Sequence, residues 1–146
     1  MNVHLEFAQK IQLAYSEHCK PLCKEIHMPQ TAFDILMFLA NNPEYKTARD
    51  IVEIRNIKAN LVSVNVDKLV REGYLTRNSV EGDRRKIELH CTEQALPIIE
   101  KGRKLQQHFE QALFQNTNET DRNGFFRTME TIEENLEHLT KDNPAV

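Results

Sequence analysis

Between Leu5 and Leu22 the apolar residues Ala8, Ile11, Tyr15, Cys19 and Leu22 recur at steps of three and four, which lines them along one helical face. Pro21 removes a backbone donor and crowds the carbonyl of Glu17, so this first helix is expected to bend or end there. Pro29 marks the next connection. Thr31 is then read as the cap of a second helix, whose broad stripe of Phe33, Leu36, Met37, Leu39 and Ala40 is almost wholly core and is closed by Asn41-Asn42-Pro43. Thr47 is the next cap, Ile51, Val52 and Ile54 supply the apolar side of a short helix, and Asn56 turns the chain. Over residues 58–72, Val62, Val66, Leu69 and Val70 face one way while Lys58, Asn60, Ser63, Asp67, Lys68 and Arg71 face another. Gly73 ends that helix where a left-handed closing residue is usual.

After Gly73 the period changes from 3.6 to 2. Tyr74-Leu75-Thr76-Arg77 is strand-like, Arg85, Ile87, Leu89 and Cys91 alternate with Lys86, Glu88 and His90, and Val80-Glu81-Gly82-Asp83 carries the turn chemistry between them. Thr92 is read as the cap of a long helix running to about Asn116, with Leu96, Ile99, Leu105, Phe109, Ala112 and Leu113 as its apolar positions and Pro97 as a source of a kink. A last helix from near Thr117 to about Leu139 shows Phe125, Phe126, Met129, Ile132, Leu136 and Leu139 on one side and a strongly acidic face on the other. Lys141 to Val146 is expected to fray.

Four helices, a hairpin and two long helices define a mostly α fold with a small β-hairpin. A winged helix-turn-helix core spans 31–92, and dimerisation helices flank it at 1–28 and 93–146. The 146 residues (17.1 kDa) fit one domain. The terminal helices carry apolar stripes that a small three-helix core cannot cover alone, which favours a homodimer over the alternative of an intramolecular bundle. No run approaches the length of a membrane span, and MNVHLEFAQK lacks the basic-then-apolar design of a signal peptide, so no membrane partner and a cytoplasmic location are expected.

Charge changes the picture more than composition does. The net charge of −3 counts against a nucleic-acid partner, yet residues 46–90 hold ten Lys/Arg against seven Asp/Glu, so a positive middle lies between acidic ends. A helix fits the major groove, where Asn and Ser side chains hydrogen-bond base edges, and an Arg-bearing hairpin tip reaches the neighbouring minor groove or its phosphates. A merely amphipathic surface helix explains the polar face of 58–72 but not the basic hairpin after it. A winged-helix adaptor that binds only protein is the alternative, and it would suit the acidic flanks. An enzyme is not expected: no phosphate loop, nucleophile setting or carboxylate pair stands out, and the six His residues follow no spacing motif.

The run Gly82-Asp83-Arg84-Arg85-Lys86-Ile87-Glu88-Leu89-His90-Cys91-Thr92-Glu93 resembles the wing signature of the MarR family of bacterial transcription regulators, and Val66-Asp67-Lys68-Leu69-Val70-Arg71-Glu72-Gly73-Tyr74-Leu75 resembles that family's end of the recognition helix. The resemblance implies a homodimeric repressor on a pseudo-palindromic double-stranded DNA operator, released by a small phenolic or amphipathic effector or by oxidation. Ser63 stands where the family commonly has a Thr facing DNA, Asn60 where it often has a Ser, and Asp83 with Arg85 match the wing pair. Val64 replaces a common Arg, Asn65 an apolar residue, and Cys91 the usual Leu before Thr92. The candidate DNA contacts are Thr47, Arg49, Lys58, Asn60, Ser63, Val64, Lys68, Arg77, Asp83, Arg84, Arg85 and Lys86.

His18-Cys19-Lys20-Pro21-Leu22-Cys23-Lys24-Glu25-Ile26-His27 is the most unusual local feature. As a metal site it offers His18, Cys19, Cys23 and His27, but without a compact Cys/His spacing and with Pro21 breaking the face, so no metal or cofactor is expected. As a redox switch, Cys19 and Cys23 lie beside Lys20 and Lys24, whose charge favours thiolate. The leading reading makes both thiols small buried apolar residues. Tyr15, His18, Phe33, Met37 and Phe38 are the candidates for an effector pocket, although each reads more readily as a core residue than as a ligand contact.

Overall fold

The computed structural model describes residues 3–142. Its elements are α1 (Val3–Glu25), α2 (Gln30–Asn41), α3 (Ala48–Asp50) running straight into a π-helical turn (Ile51–Arg55), α4 (Ala59–Arg71), β1 (Leu75–Val80), β2 (Asp83–Cys91), a 3₁₀ turn (Glu93–Ala95), α5 (Leu96–Leu113) and α6 (Glu119–Asp142). The mostly α architecture with one two-stranded hairpin is as expected. Two compact units divide the chain, one ending at Phe109 and the other beginning at Glu110.

In the first unit α2 is the centre. Ala32, Phe33, Ile35, Leu36, Met37, Phe38 and Leu39 are all buried, joined by Cys19 and Leu22 from α1, Ile51, Val62, Val66 and Leu69 from the helix-turn-helix, Leu75 and Leu89 from the hairpin, and Ile98 and Ile99 from α5. The start of α5 thus packs with the winged core rather than apart from it. At Gly102 a Cβ would lie 2.5 Å from Met37 Sδ and 3.1 Å from Phe33 Cε2, so α5 meets the α2 side chains where it has no side chain of its own.

Four helix boundaries differ from the sequence reading. Pro21 does not end α1, which continues one turn to Glu25; its ring faces solvent, where water can serve the unbonded carbonyl. Thr31 is not a cap, because α2 starts at Gln30 with Pro29 as the capping residue and no side-chain cap bond; the Pro29 carbonyl accepts the first helical bond from Phe33 N at 3.0 Å. Thr92 is not a side-chain cap either. Its hydroxyl donates to the Gly73 carbonyl at 2.6 Å, tying the end of the hairpin to the end of α4, and the 3₁₀ turn intervenes before α5. Pro97 is the second residue of an unbroken helix, where a missing donor breaks no intrahelical bond, and α5 ends at Leu113 rather than near Asn116.

Elsewhere the local chemistry acts as read. Thr47 and Asp50 form a capping box, with Asp50 N donating to Thr47 Oγ1 at 3.1 Å. Asn56 takes the left-handed conformation after the π-helical turn (φ 61). Gly73 (φ 87) closes α4 in a Schellman arrangement, with Tyr74 N donating to Leu69 O at 2.8 Å and Gly73 N to Val70 O at 3.1 Å.

The second unit contains α6, introduced by Asn118, whose Oδ1 accepts from Asp121 N at 2.8 Å. Phe114, Phe125 and Phe126 pack edge-on or tilted against one another, with ring centroids 5.3–5.7 Å apart. The rest of the stripe, Met129, Ile132, Leu136 and Leu139, is exposed along α6, as are Leu5, Phe7 and Leu13 on α1 of the first unit. Lys141 is helical, and residues 143–146 of the expected frayed tail lie outside the described residues. No described helix is long and apolar enough to cross a membrane.

Candidate nucleic-acid interface

The α4 helix buries Val62, Asn65, Val66 and Leu69 and turns the opposite face outward. At 3.6 residues per turn, Asn60, Val64, Asp67 and Arg71 fall on one line down that face, with Ser63 beside it, and all five are exposed. Asn65 takes the inward place of an apolar residue, only 8% exposed, and satisfies its amide locally by donating to the Leu61 carbonyl at 2.8 Å. That bond lets a polar group sit in the core without turning α4.

The hairpin stands beside this face. Leu75 pairs with Cys91 and Ser79 with Ile87, and an irregularity between Ser79 and Val80 precedes the Glu81-Gly82 turn, where Gly82 has φ 85. Leu89 N donates to Lys46 O at 2.6 Å, which fixes β2 to the chain just before α3. At the far end of the hairpin Asp83 Oδ1 accepts from Arg85 N at 3.0 Å, a local bond that shapes the wing's tip and leaves Arg84, Arg85 and Lys86 exposed. Thr47, Arg49, Asp83, Arg85 and Lys86 together border one open cleft of about 450 Å³ between the start of α3 and the wing. The Asp50 carboxylate behind it is held below its ordinary value: slight burial pushes upward, but hydrogen bonds from Thr47 and from the Thr47 and Lys46 amides, with the Lys86 charge, outweigh that push.

The basic candidates divide into two groups. Among the described residues, Lys58, Arg84, Arg85 and Lys86 form no ion pair. Arg49 is bound to Glu53 at 2.8 Å, Lys68 to Glu72 at 2.8 Å, and Arg77 to Asp67, so each would have to exchange a carboxylate for a phosphate. The i,i+4 spacing of Arg49 with Glu53 and of Lys68 with Glu72 carried that signal in the sequence. Arg71, exposed on the outward line, was missed as a candidate.

The proposed pocket residues separate. Tyr15, Met37 and Phe38 border a cavity of about 240 Å³, together with Asp34, Arg55 and Gln106, none of which the sequence reading named. Gln106 Nε2 donates to the Tyr15 hydroxyl at 3.0 Å. His18 borders a different, shallower depression with Leu22 and Leu105, and Phe33 is fully buried in the core. Burial, opposed by the Arg55 charge 3.5 Å away, pushes the Asp34 carboxyl up to about 6, and its Oδ1 is buried without a hydrogen-bond partner. Burial also pushes the Cys19 thiol up and the Cys23 thiol up to about 11. Lys20, paired with Glu17, and Lys24 are exposed, so the surroundings favour thiol over thiolate. Among the described residues no group of three His, Cys, Asp or Glu side chains gathers as metal ligands would.

A helix-turn-helix with an exposed second helix, followed by a basic hairpin anchored to it, defines a winged helix-turn-helix protein. The MarR family model matches residues 28–86. No curated protein matches the chain in sequence. Among solved structures, the transcriptional regulator PA3341 is similar over 93% of this chain and 98% of its own, with 19% identity and a TM-score of 0.82. A MarR transcriptional regulator from Methanosarcina mazei Go1 is similar over 92% of this chain and 93% of its own (20% identity, TM-score 0.70). A MarR-family regulator from Listeria monocytogenes, solved in complex with a 26mer DNA, is similar over 93% of this chain and 89% of its own (14% identity, TM-score 0.81). At these identities the structural likeness establishes the fold.

Proposed function

We propose that the protein is a cytoplasmic, sequence-specific DNA-binding transcription regulator, a homodimeric repressor that binds a pseudo-palindromic operator and is released by a small amphipathic or phenolic ligand. The observation that carries the reading is the exposed outward line of α4 set beside Arg84, Arg85 and Lys86 of the wing, four elements of one surface that no fold requirement explains. The DNA bound by the Listeria relative agrees with it. Asn60 and Ser63 read base edges, the wing arginines hold the backbone or minor groove, and Lys58 at the start of α4 meets a phosphate. The exposed stripes of α1 and α6 are the faces that a second copy covers. The ligand enters the cavity at Tyr15, Met37 and Phe38, next to the Asp34–Arg55 pair that joins α2 to the π-helical turn.

The test is a mobility-shift titration on DNA flanking the coding region, at several salt concentrations, with random DNA as control. Asn60→Ala is expected to weaken binding to the preferred operator by roughly 1–3 kcal/mol and to random DNA by less. Equal losses on both DNAs would contradict base readout by this residue. Sedimentation at micromolar concentration is expected to give twice the 17.1 kDa chain mass; a stable 17.1 kDa monomer would remove the dimer from this account.

A further inference from the structure

Val64 sits in the middle of the outward line of α4, one turn beyond Asn60, and is 66% exposed. Of the large apolar side chains in the winged core it is more exposed than Ile54, Leu61 or Ile87. Folding gains nothing from a valine there, and its neighbours on the line, Asn60, Asp67 and Arg71, are polar or charged. The first two turns of α4, Ala59 to Val66, contain no charged residue. Guanine is most often read by Arg or Lys at its O6 and N7 edge. The first cation along α4 is Lys68, already bound to Glu72, and the Asp67 carboxylate is taken by Arg77.

The geometry points to Val64 as the residue that reads the 5-methyl group of a thymine in the major groove of each half-site, beside an adenine read by Asn60. The inference rests on the DNA-binding reading above and gives it a base preference. An isopropyl group pressed on a G·C edge would strip water from the guanine acceptors and the cytosine amino group and return no hydrogen bond. Against a thymine it covers the one apolar group that the major groove presents. Asn60 presents the donor and acceptor that adenine N7 and N6 need, and Ser63 serves either pair. The base-reading half of α4 therefore matches A·T pairs.

The experiment uses the full-length protein. Random duplexes are selected at low salt by the wild type, the shared half-site is derived, and each of its thymines is replaced singly by deoxyuridine, which removes only the methyl group. One thymine per half-site is expected to lose about fourfold in affinity for the wild type on this change, the equivalent of one buried methyl group. Val64→Ala, a change at an exposed position, is expected to bind the thymine and uracil duplexes nearly alike. A half-site whose contacted pairs are G·C, no uracil effect in the wild type, or the same uracil effect in Val64→Ala would each overturn the proposal while leaving DNA binding in place. Retention of no duplex at all would overturn the DNA-binding reading, and this inference with it.

Discussion

Truncating Phe33 to alanine is expected to destabilise the protein by about 3–5 kcal/mol, measured as a lower urea midpoint with an unchanged slope. The ring is 0% exposed and lies in α2 where α5 comes close, beside Met37 and facing Gly102. Close packing on both sides limits how far the site can collapse, which places the expected loss in the range for large aromatic truncations. Phe33→Leu, which keeps most of the volume, should cost clearly less. The result also separates core from pocket. Since Phe33 does not border the cavity at Tyr15 and Asp34, a loss below about 1 kcal/mol, well short of an ordinary core truncation, would show that the ring is not the core residue described.

Asp34→Asn is expected to stabilise the protein at pH 7.5 and to remove a pH dependence that the wild type shows. Burial pushes the carboxyl from 3.8 up to about 6 despite the Arg55 charge, and its side chain is only 15% exposed. A displacement of that size corresponds to about 3 kcal/mol between the two protonation states. Because the folded-state value is the higher one, the stability from this group is fully present below pH 3.8 and is lost as pH rises through about 6. Thermal melts from pH 4 to 8 should therefore show the wild type weakening across that window relative to Asp34→Asn. Arg55, 41% exposed, can turn to water when its partner is neutral. A variant less stable than the wild type at pH 7.5 would mean that the Asp34–Arg55 pair more than offsets the desolvation of the carboxylate.

Elements with a clean hydrophobic period were legible in the sequence. The α2 stripe, the two faces of α4 and the change to period 2 after Gly73 follow from which side meets the core, and the structure keeps each of them. Thr47 was legible as a cap because Asp50 stands three residues on and completes the reciprocal bond. Thr31 offered the same spacing, with Asp34 three residues on, and Thr92 only the residue type, and tertiary needs decided otherwise: α2 starts a residue earlier at Gln30, the Asp34 carboxylate pairs with Arg55, and the Thr92 hydroxyl is needed at the Gly73 carbonyl.

Within the site, the outward face carrying Asn60, Ser63, Asp67 and Arg71 was legible from spacing, because exposure on an amphipathic helix follows its period, whereas Val64 was named only through the family resemblance. The pairing of Arg77 with Asp67 was not, since it joins α4 to β1 across the Gly73 turn and depends on their relative placement. Asp34 stood inside the most apolar helix of the chain, between Phe33 and Ile35, and a charge in that position was the signal for the pocket wall that went unread.

The central claim, that α4 and the wing form one DNA-binding surface, is tested most directly by the salt dependence of binding. Each phosphate ion pair contributes close to one unit to the slope of log K against log salt concentration. Wild-type protein is expected to bind duplex DNA with a steep negative slope. Arg84→Ala and Arg85→Ala should each lower that slope by about one, while Asn60→Ala weakens operator binding with the slope unchanged. Slopes identical in the wild type and both arginine variants would contradict a wing that holds the DNA backbone, and no duplex binding at about 50 mM salt would contradict the surface as a whole.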